Sequence, residues 1–370
     1  MPARNPETPS GKISPVGLET SALERELAAL GVPERQLRMR SSQIRHWLYV
    51  RGARDLAEMT DLPLALREVL GGRLTLERPT VVCEQCSADG TRKWLLQFAD
   101  GQKVETVFIP EEDRGALCVS SQVGCTLSCR FCHTGTMPLV RNLSAAEILA
   151  QILVARDRLG EWPATRPGRR LTNVVLMGMG EPLFNYDNVL AALRVMVDPD
   201  GLGFSKRRVT VSTSGVVPKI DQLGRDLPVA LAISLHAVRD ELRDQLVPLN
   251  RKWNIASLLD ACRRYPIRRR ITFEYVMLRG VNDSDADARE LVRLLHDIPA
   301  KVNLIPFNPW PGAPFECSSN NRIRAFAAIV EAGGIAAPIR TPRGRDILAA
   351  CGQLRTEAER RRRTAAAAAA

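Results

Sequence analysis

Strand-like and helix-like segments alternate along the chain from about residue 116 to residue 332, and this pattern constrains the fold most strongly. Repeated strand–helix units imply a parallel sheet with helices packed on its faces. Ligands should then gather at the carboxyl ends of the strands, where successive loops meet. Strands are predicted at 116–121, 173–177, 208–213, 229–235, 270–277 and 301–306, and helices at 144–158, 187–197, 254–264, 284–297 and 319–332.

The residues before this region have a different character. Apolar residues at helical spacing predict short helices, which we interpret as a small helical domain over 18–80. Residues 94–98 and 104–109 flank Asp100–Gly101, a pattern that predicts a β-hairpin. We therefore expect a β-hairpin extension over 81–110 between the helical domain and the alternating core.

Both ends of the chain are compositionally biased. Residues 1–17 are polar and contain Pro, Gly and Ser without an apolar core, so they are predicted to be a disordered leader and not a signal peptide. Residues 355–370 are charged and Ala-rich and are predicted to be a disordered tail. No run of eighteen apolar residues occurs, which argues against a membrane span.

The composition indicates a reducing compartment and a polyanionic partner. The nine cysteines form no evenly spaced framework, so we expect reduced thiols in the cytoplasm. The net charge of +11 fits nucleic acid, although basic enzymes without such partners are common. Basic groups at Lys206–Arg208, Arg268–Arg270 and Arg166–Arg170 are either solvated faces or phosphate contacts around the core that would carry the active site.

Cys125, Cys129 and Cys132 follow the first strand of the alternating region with C-x3-C-x2-C spacing. Three thiolates so placed can ligate three irons of a [4Fe–4S] cluster and leave the fourth iron open. The amino and carboxylate groups of S-adenosylmethionine can chelate the open iron. The alternative is a zinc ion bound by the same cysteines and His133, but structural zinc sites usually pair two C-x-x-C units, and no second pair lies downstream.

Polar and glycine residues follow the later strands. Gly180 and Glu181 belong to a Gly-Met-Gly-Glu-Pro sequence, in which glycines permit close backbone approach and Glu181 can accept a hydrogen bond from an ammonium group. Each residue alone is equally well explained by turn or cap chemistry. Together they are predicted to contact one cofactor, with further contacts at Ser212, Ser234, Leu235, His236 and Asn308.

Several strings together resemble the radical S-adenosylmethionine (radical SAM) RNA adenine C2-methyltransferase family. They are SSQVGCTLSCRFCHTG, MGMGEPLFN, VTVSTSGVVP, AISLHA, VNLIPFNPWPG and RGRDILAACGQL, and the resemblance runs from about residue 35 to 354. It implies an α/β fold with a partial (βα)6 barrel over 111–354, and an RNA-binding role for the helical domain. It also implies methylation of carbon 2 of adenine 2503 in 23S ribosomal RNA and of adenine 37 in transfer RNAs, with two S-adenosylmethionine molecules per turnover.

The resemblance assigns roles to three residues outside the cluster motif. Cys351 matches the cysteine that carries the methyl group, and Cys118 matches the thiol that resolves the protein–RNA adduct and leaves a transient Cys118–Cys351 disulfide. Glu105 matches the proton acceptor. Without the resemblance, these residues would be packed thiols and a cross-strand charge. The resemblance further implies a monomer that receives electrons from a flavodoxin-type donor.

Two other functions stay open at this point. One is methylation of carbon 8 of the same ribosomal adenine, which would use the same cluster, cysteines and cofactor. The other is an iron–sulfur RNA-binding protein without catalytic activity, which would need neither Cys118 nor Cys351. Other cysteines and histidines are interpreted as structural or without function, namely Cys83, Cys86, Cys262, Cys317, His46 and His296.

Overall fold

The computed structural model describes residues 11–165, 167–266 and 270–356, and the predicted alternation of strands and helices is confirmed there. The strands are β1 (Thr80–Cys86), β2 (Arg92–Gln97), β3 (Lys103–Pro110), β4 (Gly115–Cys118), β5 (Gln122–Val123), β6 (Arg141–Asn142), β7 (Asn173–Leu176), β8 (Val209–Thr213), β9 (Ala230–Ser234), β10 (Ile271–Met277) and β11 (Ala300–Pro306). The α-helices are α1 (Thr20–Ala29), α2 (Glu34–His46), α3 (Leu64–Arg73), α4 (Ala145–Leu159), α5 (Tyr186–Val197), α6 (Val217–Asp226), α7 (Asp240–Leu246), α8 (Ile255–Arg264), α9 (Asp285–Leu295) and α10 (Asn320–Ala332).

Nine strands form one sheet in the order β1-β2-β3-β4-β7-β8-β9-β10-β11. The strands β4 and β7 to β11 are parallel to their neighbours and follow one another in chain order. Six sequential parallel strands that stop before closure are the core of a partial (βα)6 barrel, so the predicted fold class is confirmed. Their carboxyl ends lie at one edge of the sheet, where the loops that carry the site meet.

The extension before the barrel has three antiparallel strands, whereas the sequence predicted two. The additional strand is β1, which pairs with β2, while β3 pairs with β4 and so joins the extension to the barrel sheet. Exposed and half-buried residues alternate along β1, as in an edge strand that covers little apolar surface. Its weak hydrophobic pattern explains why the sequence did not reveal it.

Two barrel helices, α6 and α7, were also missed. In α7, which spans only seven residues, Arg243 and Leu246 are the buried positions, and one of these two is charged. A hydrophobic periodicity cannot be recognised when a buried position carries a guanidinium group. Helix α6 begins with Pro218 in its first turn and is mostly polar on its outer side, so it resembled a loop.

The helical domain packs against the barrel through buried arginines. Arg45 of α2 donates to the carbonyl of Leu18 at 3.0 Å and forms an ion pair with Asp198. Arg156 of α4 donates to the carbonyl of Tyr49 at 3.2 Å. Because buried guanidinium groups are stable only when their donors are paired, these contacts fix how the domain sits on the barrel.

The predicted disordered segments, 1–17 and 355–370, include residues that the structure describes as packed. Ile13 and Val16 are buried, and the Ile13 backbone pairs with the chain at Arg73 and Thr75, so this part of the predicted leader packs on the helical domain. At the other end, Arg355 makes hydrogen bonds within the site. Residues 1–10 and 357–370, on which the rest of this prediction falls, lie outside the described residues. None of the described helices has the length and apolarity that crossing a membrane requires.

Gly52 is a glycine that no larger residue can replace without strain and overlap. Its backbone has φ +80°, and a Cβ atom there would overlap the indole ring of Trp162. Gly31 also has a positive φ, but a Cβ there would meet no described atom within 4 Å. We predict that Gly31→Ala lowers the free energy of unfolding by about 1 kcal/mol from backbone strain, and Gly52→Ala by about 2–4 kcal/mol because overpacking is added. Urea denaturation measures both, and equal losses would contradict the predicted overlap with Trp162.

Candidate active site

A cavity lies at the carboxyl ends of the parallel strands, as the alternation predicted. The residues that line it come from the cluster loop, from the ends of β7 to β11 and from the C-terminal segment. Most of the predicted site residues meet there, namely Cys125, Cys129, Cys132, Gly180, Glu181, Ser212, Ser234, His236, Asn308 and Cys351. Leu235, Cys118 and Glu105 are buried beside the cavity and do not belong to its described lining.

The three cluster cysteines lie in a loop whose backbone amides make hydrogen bonds that hold its shape. The amide of Arg130 donates to the carbonyl of Leu246 at 3.2 Å, and the amide of Leu127 lies 3.3 Å from the sulfur of Cys125. Burial raises the pKa of Cys125 to about 12 and also raises the pKa of Cys129. Since a metal binds the thiolate, loading the site with iron must displace protons from these thiols.

His133 is turned away from the cysteines. Its ring stacks on Trp310 with 4.8 Å between centroids, its Nδ1 lies 3.4 Å from the carbonyl of Gln353, and its Nε2 lies 3.0 Å from Nη1 of Arg355. In the described ranges, no three Cys, His, Asp or Glu side chains converge to hold a single metal ion. Three thiols around one cavity, with the histidine directed elsewhere, fit the separate irons of a cubane better than a zinc ion.

The glycines after β7 allow the loop after β7 to pack closely against the chain at residues 119–122, in addition to any contact with a ligand. A Cβ atom on Gly178 would lie 2.7 Å from the carbonyl oxygen of Val119, and one on Gly180, at φ +101°, would lie 2.6 Å from Cβ of Gln122. The Gln122 side chain in turn accepts a hydrogen bond from the amide of Glu181 at 3.0 Å. The Gly-Met-Gly sequence therefore lets the loop after β7 lie directly against the chain that enters the cluster loop.

Glu181 is a buried carboxylate in the cavity wall. It accepts hydrogen bonds from the amides of Leu183 at 3.0 Å and Ser214 at 2.8 Å. Burial outweighs these bonds and raises the pKa of Glu181 to about 7. An ammonium group bound in the cavity would favour the charged carboxylate, so Glu181 fits the amino group of S-adenosylmethionine.

His236 is held as a neutral hydrogen-bond acceptor. Its backbone has φ +60°, its Nδ1 accepts from the amide of Val276 at 3.1 Å, and its ring contacts Phe131 edge-on with 4.5 Å between centroids. Burial, and then the positive charge of Arg243, lower the pKa of His236 to about 3. The ring is therefore uncharged at neutral pH and lines the cavity without repelling a sulfonium ion.

Arg243 is a site residue that the sequence analysis missed. Its guanidinium group is buried and donates to the carbonyls of Ser214 at 2.8 Å, Ser234 at 3.0 Å and Leu235 at 2.9 Å, and to Oδ1 of Asn250 at 2.8 Å. It therefore ties the loop after β8 to the loop after β9. No motif surrounds it in the sequence, and its helix α7 lacked a recognisable pattern.

Cys351 lies in the C-terminal segment and lines both this cavity and a second one beside it. Asn308 donates to the Cys351 carbonyl at 3.3 Å and accepts from Nε of Arg345 at 2.9 Å. Although Cys351 retains access to solvent, desolvation by the surrounding protein raises the pKa of its thiol. Cys118, at the end of β4, has a pKa raised by burial and next by the charge of Cys351, so the two thiols lie within electrostatic range.

Glu105 is buried on β3 and engaged on both oxygens. Its Oε1 lies 3.0 Å from Nζ of Lys93, and its Oε2 accepts from the amide of Arg355 at 2.6 Å. Its backbone carbonyl accepts from the Ser120 hydroxyl at 2.7 Å, beside the strand that ends in Cys118. The carboxylate thus contacts the segment that carries Cys351.

The predicted basic groups do not surround the cavity. Lys206–Arg208 immediately precede β8, Arg270 precedes β10, and Arg169–Arg170 precede β7, so all lie at the amino ends of the strands. Arg166, Arg268 and Arg269 lie outside the described residues. The sequence did not decide between solvated faces and phosphate contacts, and a charge run does not reveal which edge of a sheet it reaches. The second cavity instead contains Arg340 and Arg343, isolated arginines that formed no pattern.

None of the remaining cysteines and histidines belongs to the described lining of the cavity. Cys83 and Cys86 are on the edge strand β1, and Cys262 is buried on α8. Cys317 is half-buried near the end of β10, and His46 and His296 are exposed at helix ends.

Comparison with known proteins identifies the family to which the chain belongs. Residues 119–292 match the model of the radical SAM superfamily, and residues 16–75 match the ribosomal RNA large subunit methyltransferase N-terminal domain. The dual-specificity RNA methyltransferase RlmN of Methylorubrum extorquens strain PA1 is 61% identical over 96% of this chain and 88% of its own length. The RlmN protein of Dinoroseobacter shibae is 57% identical over 99% of this chain and 94% of its own.

A solved structure agrees with the sequence relatives. The crystal structure of a radical SAM methyltransferase from Sphaerobacter thermophilus superposes with a TM-score of 0.86 at 50% identity, and the match covers 92% of this chain and 99% of that one. The identity and coverage of these relatives extend over the helical domain as well as the barrel. The chain therefore belongs to the RlmN family of radical SAM RNA methyltransferases, whose cofactors are a [4Fe–4S] cluster and S-adenosylmethionine.

Proposed function

We propose that the protein methylates carbon 2 of adenine 2503 in 23S ribosomal RNA and of adenine 37 in transfer RNAs. The observation that carries the proposal is the position of Cys351, which lines two adjacent cavities and interacts electrostatically with Cys118. A methyl carrier needs access to the cofactor on one side and to the base on the other. The names of the relatives, dual-specificity RNA methyltransferases, support RNA as the substrate.

The chemistry explains why a cysteine must carry the methyl group. Carbon 2 of adenine lies between two ring nitrogens and is too electron-poor to attack a sulfonium methyl as a nucleophile. Cys351 therefore accepts the methyl group first, by displacement. A cluster held by Cys125, Cys129 and Cys132 would supply, together with a second S-adenosylmethionine, the one-electron chemistry that removes hydrogen from the methyl group on Cys351, so that its carbon can add to the base.

Release of the product requires the other two residues. After addition, the base is linked to the sulfur of Cys351 through a methylene group and carries an unpaired electron. The proton of carbon 2 and one electron must then leave, and the electron would return to the reducing system that started the radical step. Glu105 contacts the Cys351 segment through Arg355, and we assign it as the acceptor of that proton. Cys118 then attacks the sulfur of Cys351, which breaks the bond from that sulfur to the methylene carbon and forms a Cys118–Cys351 disulfide. The freed carbon takes up a proton and becomes the methyl group of the product.

The second cavity is the proposed place of the target adenine. It shares Glu274, Asn308 and Cys351 with the first cavity, and Arg340 and Arg343 lie on its other side. A base taken out of its stack can reach Cys351 there, while arginines contact its phosphates. This arrangement leaves the first cavity to S-adenosylmethionine.

The cycle also needs reducing equivalents from outside the chain. One electron would be needed to start the radical step, and one would be returned when the adduct loses its unpaired electron. The net demand is the two electrons that reduce the Cys118–Cys351 disulfide before the next turnover. We therefore propose a cytoplasmic monomer that is served by a flavodoxin-type electron donor, in a compartment that keeps thiols reduced.

The cluster assignment predicts the effect of removing one ligand. Anaerobically reconstituted protein should bind about four irons per chain, and Cys129→Ala should lose most of this iron, because two thiolates hold the cubane poorly. Cys86→Ala, which alters an exposed cysteine on β1, is the matched control and should keep the full iron content. Iron analysis and absorption spectra measure both. Full iron in Cys129→Ala would refute the ligand set.

The two reactive cysteines should fail in different ways. Cys351→Ala should lower product formation at least a hundredfold and leave no methyl group on the protein, because the acceptor is missing. Cys118→Ala should accumulate a covalent protein–RNA adduct, because the bond forms but is not broken. Mass spectrometry of the protein, and a gel band that ribonuclease shortens, distinguish the two variants.

Cys262→Ala is the matched control for this pair, since Cys262 is also buried but lies on α8 away from the cavity. It should turn over at the parental rate without an adduct. If Cys118→Ala also turned over normally with no adduct, the two-cysteine mechanism would be wrong. Mapping the methyl position on the RNA product tests carbon 2 against carbon 8.

The second cavity predicts which arginines contact RNA near the site. Replacing Arg340 and Arg343 together by Gln should weaken RNA binding and reduce the slope of log affinity against log salt by about 0.7 for each lost phosphate contact. Replacing Arg207 and Arg208, which lie at the amino end of β8, should leave the slope closer to that of the parent. Filter binding over a salt series measures both. A larger change in the Arg207/Arg208 variant would place the RNA on the opposite edge of the sheet.

A further inference from the structure

The turn between β1 and β2 contacts the segment that carries Cys351. The hydroxyl of Ser87 donates to Oδ1 of Asp346 at 2.6 Å, and the amide of Ala88 lies 3.3 Å from Oδ2 of the same residue. The amide of Gly344 donates to Oδ2 of Asp89 at 3.0 Å. We call Ser87–Gly90 the docking turn, because carboxylates on both sides of the contact accept hydrogen bonds from the other side.

The docking turn is held in shape by its own hydrogen bonds. Oδ1 of Asp89 accepts from the amide of Thr91 at 2.9 Å, and the amide of Gly90 donates to the carbonyl of Ser87 at 3.0 Å. Burial alone would raise the pKa of Asp89, but hydrogen bonds from Thr91, Gly344 and Ser87 lower it to about 2. Asp89 is therefore ionised at any pH at which the enzyme works.

The docked segment is also closely packed. Gly344 has φ +62°, and a Cβ atom there would lie 2.9 Å from Cγ2 of Thr91 and 2.8 Å from Cβ of Ala349. Further along, Nζ of Lys93 donates to the carbonyl of Leu348 at 3.2 Å. Leu348 itself has φ +51°, which is uncommon for a residue with a side chain.

A second anchor lies on the other side of Cys351. The amide of His133, in the cluster loop, donates to the carbonyl of Gly352 at 2.7 Å. Nε2 of Gln353 donates to the carbonyl of Pro309 at 2.7 Å. Cys351 is thus held on both sides: the chain before it contacts the docking turn, and the chain after it contacts the cluster loop.

We propose that the docking turn positions Cys351, with Ser87, Asp89 and Asp346 as positioning residues that set its thiol opposite Cys118 and against the cofactor cavity. The inference rests on the proposed role of Cys351 as methyl carrier. This proposal also explains how the three-stranded extension contributes to the reaction, because β1 and β2 place the docking turn against the C-terminal segment. A small displacement of a reacting group lowers the reaction rate steeply. A few hydrogen bonds that hold the Cys351 segment from outside the reacting site can therefore control turnover.

The test uses the full-length, cluster-loaded enzyme with Asp346→Ala and Ser87→Ala. The first readout is the rate at which S-adenosylmethionine methylates Cys351 without RNA, followed by mass spectrometry. We expect a fall on the order of ten- to a hundredfold. Iron content and thermal midpoint should stay at parental values, because few contacts are lost and the core is untouched. Ser87→Thr, which keeps the hydroxyl, should restore the rate.

The second readout is the yield of the Cys118–Cys351 disulfide after mild oxidation, mapped by peptide mass spectrometry. It needs neither RNA nor methyl transfer, and the yield should fall in Asp346→Ala and Ser87→Ala in step with the methylation rate. Asp113→Ala removes an exposed carboxylate from the neighbouring β3–β4 turn and is the matched control, with both readouts expected at parental values.

Parental disulfide yields in Asp346→Ala and Ser87→Ala would overturn the positioning role. A loss that Ser87→Thr does not restore, or that follows a lowered thermal midpoint, would likewise reduce the docking turn to a structural element. If the parent enzyme itself showed no methyl group on Cys351, the proposed function would fail. A disulfide yield that still depended on Ser87 and Asp346 would then uphold the positioning role separately.

Discussion

The buried guanidinium group of Arg243 holds the cofactor side of the site together. Burying such a charge costs several kcal/mol unless its donors are paired, and here four hydrogen bonds pair them. Three of these bonds end on backbone carbonyls after β8 and β9, so the loops cannot separate without exposing an unpaired cation. Burial raises the pKa of Cys129 and lowers the pKa of His236, and the charge of Arg243 opposes the first shift and adds to the second. One side chain therefore ties the cavity loops together and contributes to the electrostatics of the cavity.

The two thiols that we propose to react lie in two different parts of the structure. Cys118 ends β4 and is fixed by the sheet, whereas Cys351 lies in an irregular segment that other parts of the chain must hold. Its position depends on hydrogen bonds between residues far apart in sequence, such as Ser87 and Asp346. The antiparallel extension is joined to the barrel by the pairing of β3 with β4, and it also contacts the C-terminal segment through the docking turn, Lys93 and Glu105. If Cys351 carries the methyl group as proposed, its chemistry depends on these contacts.

The sequence predicted those features that local patterns encode. Cys125, Cys129 and Cys132 could be recognised because the spacing of cluster ligands is local, and the parallel strands because buried strands are apolar. Arg243 could not be found, since its role depends on backbone carbonyls in two other loops and on the side chain of Asn250. The basic run at Lys206 was visible in sequence, but its position at the amino edge of the sheet was not. Strand β1 was missed because an edge strand buries too little surface to show a pattern.

The two cavities that share Cys351 separate radical chemistry from the choice of substrate. The cofactor side is built from strand ends and the cluster loop, which are tied to one another by Gln122 and Arg243. The other side is built from the β3–β4 turn at Glu111 and the segment around Arg340, neither of which contains a cluster ligand. In the proposed mechanism, changes there would alter how a base is presented to Cys351 without disturbing methyl transfer to the thiol. The orientation of the adenine in this second cavity would then decide between methylation at carbon 2 and at carbon 8, because a methylene group on Cys351 would reach either carbon from the same sulfur.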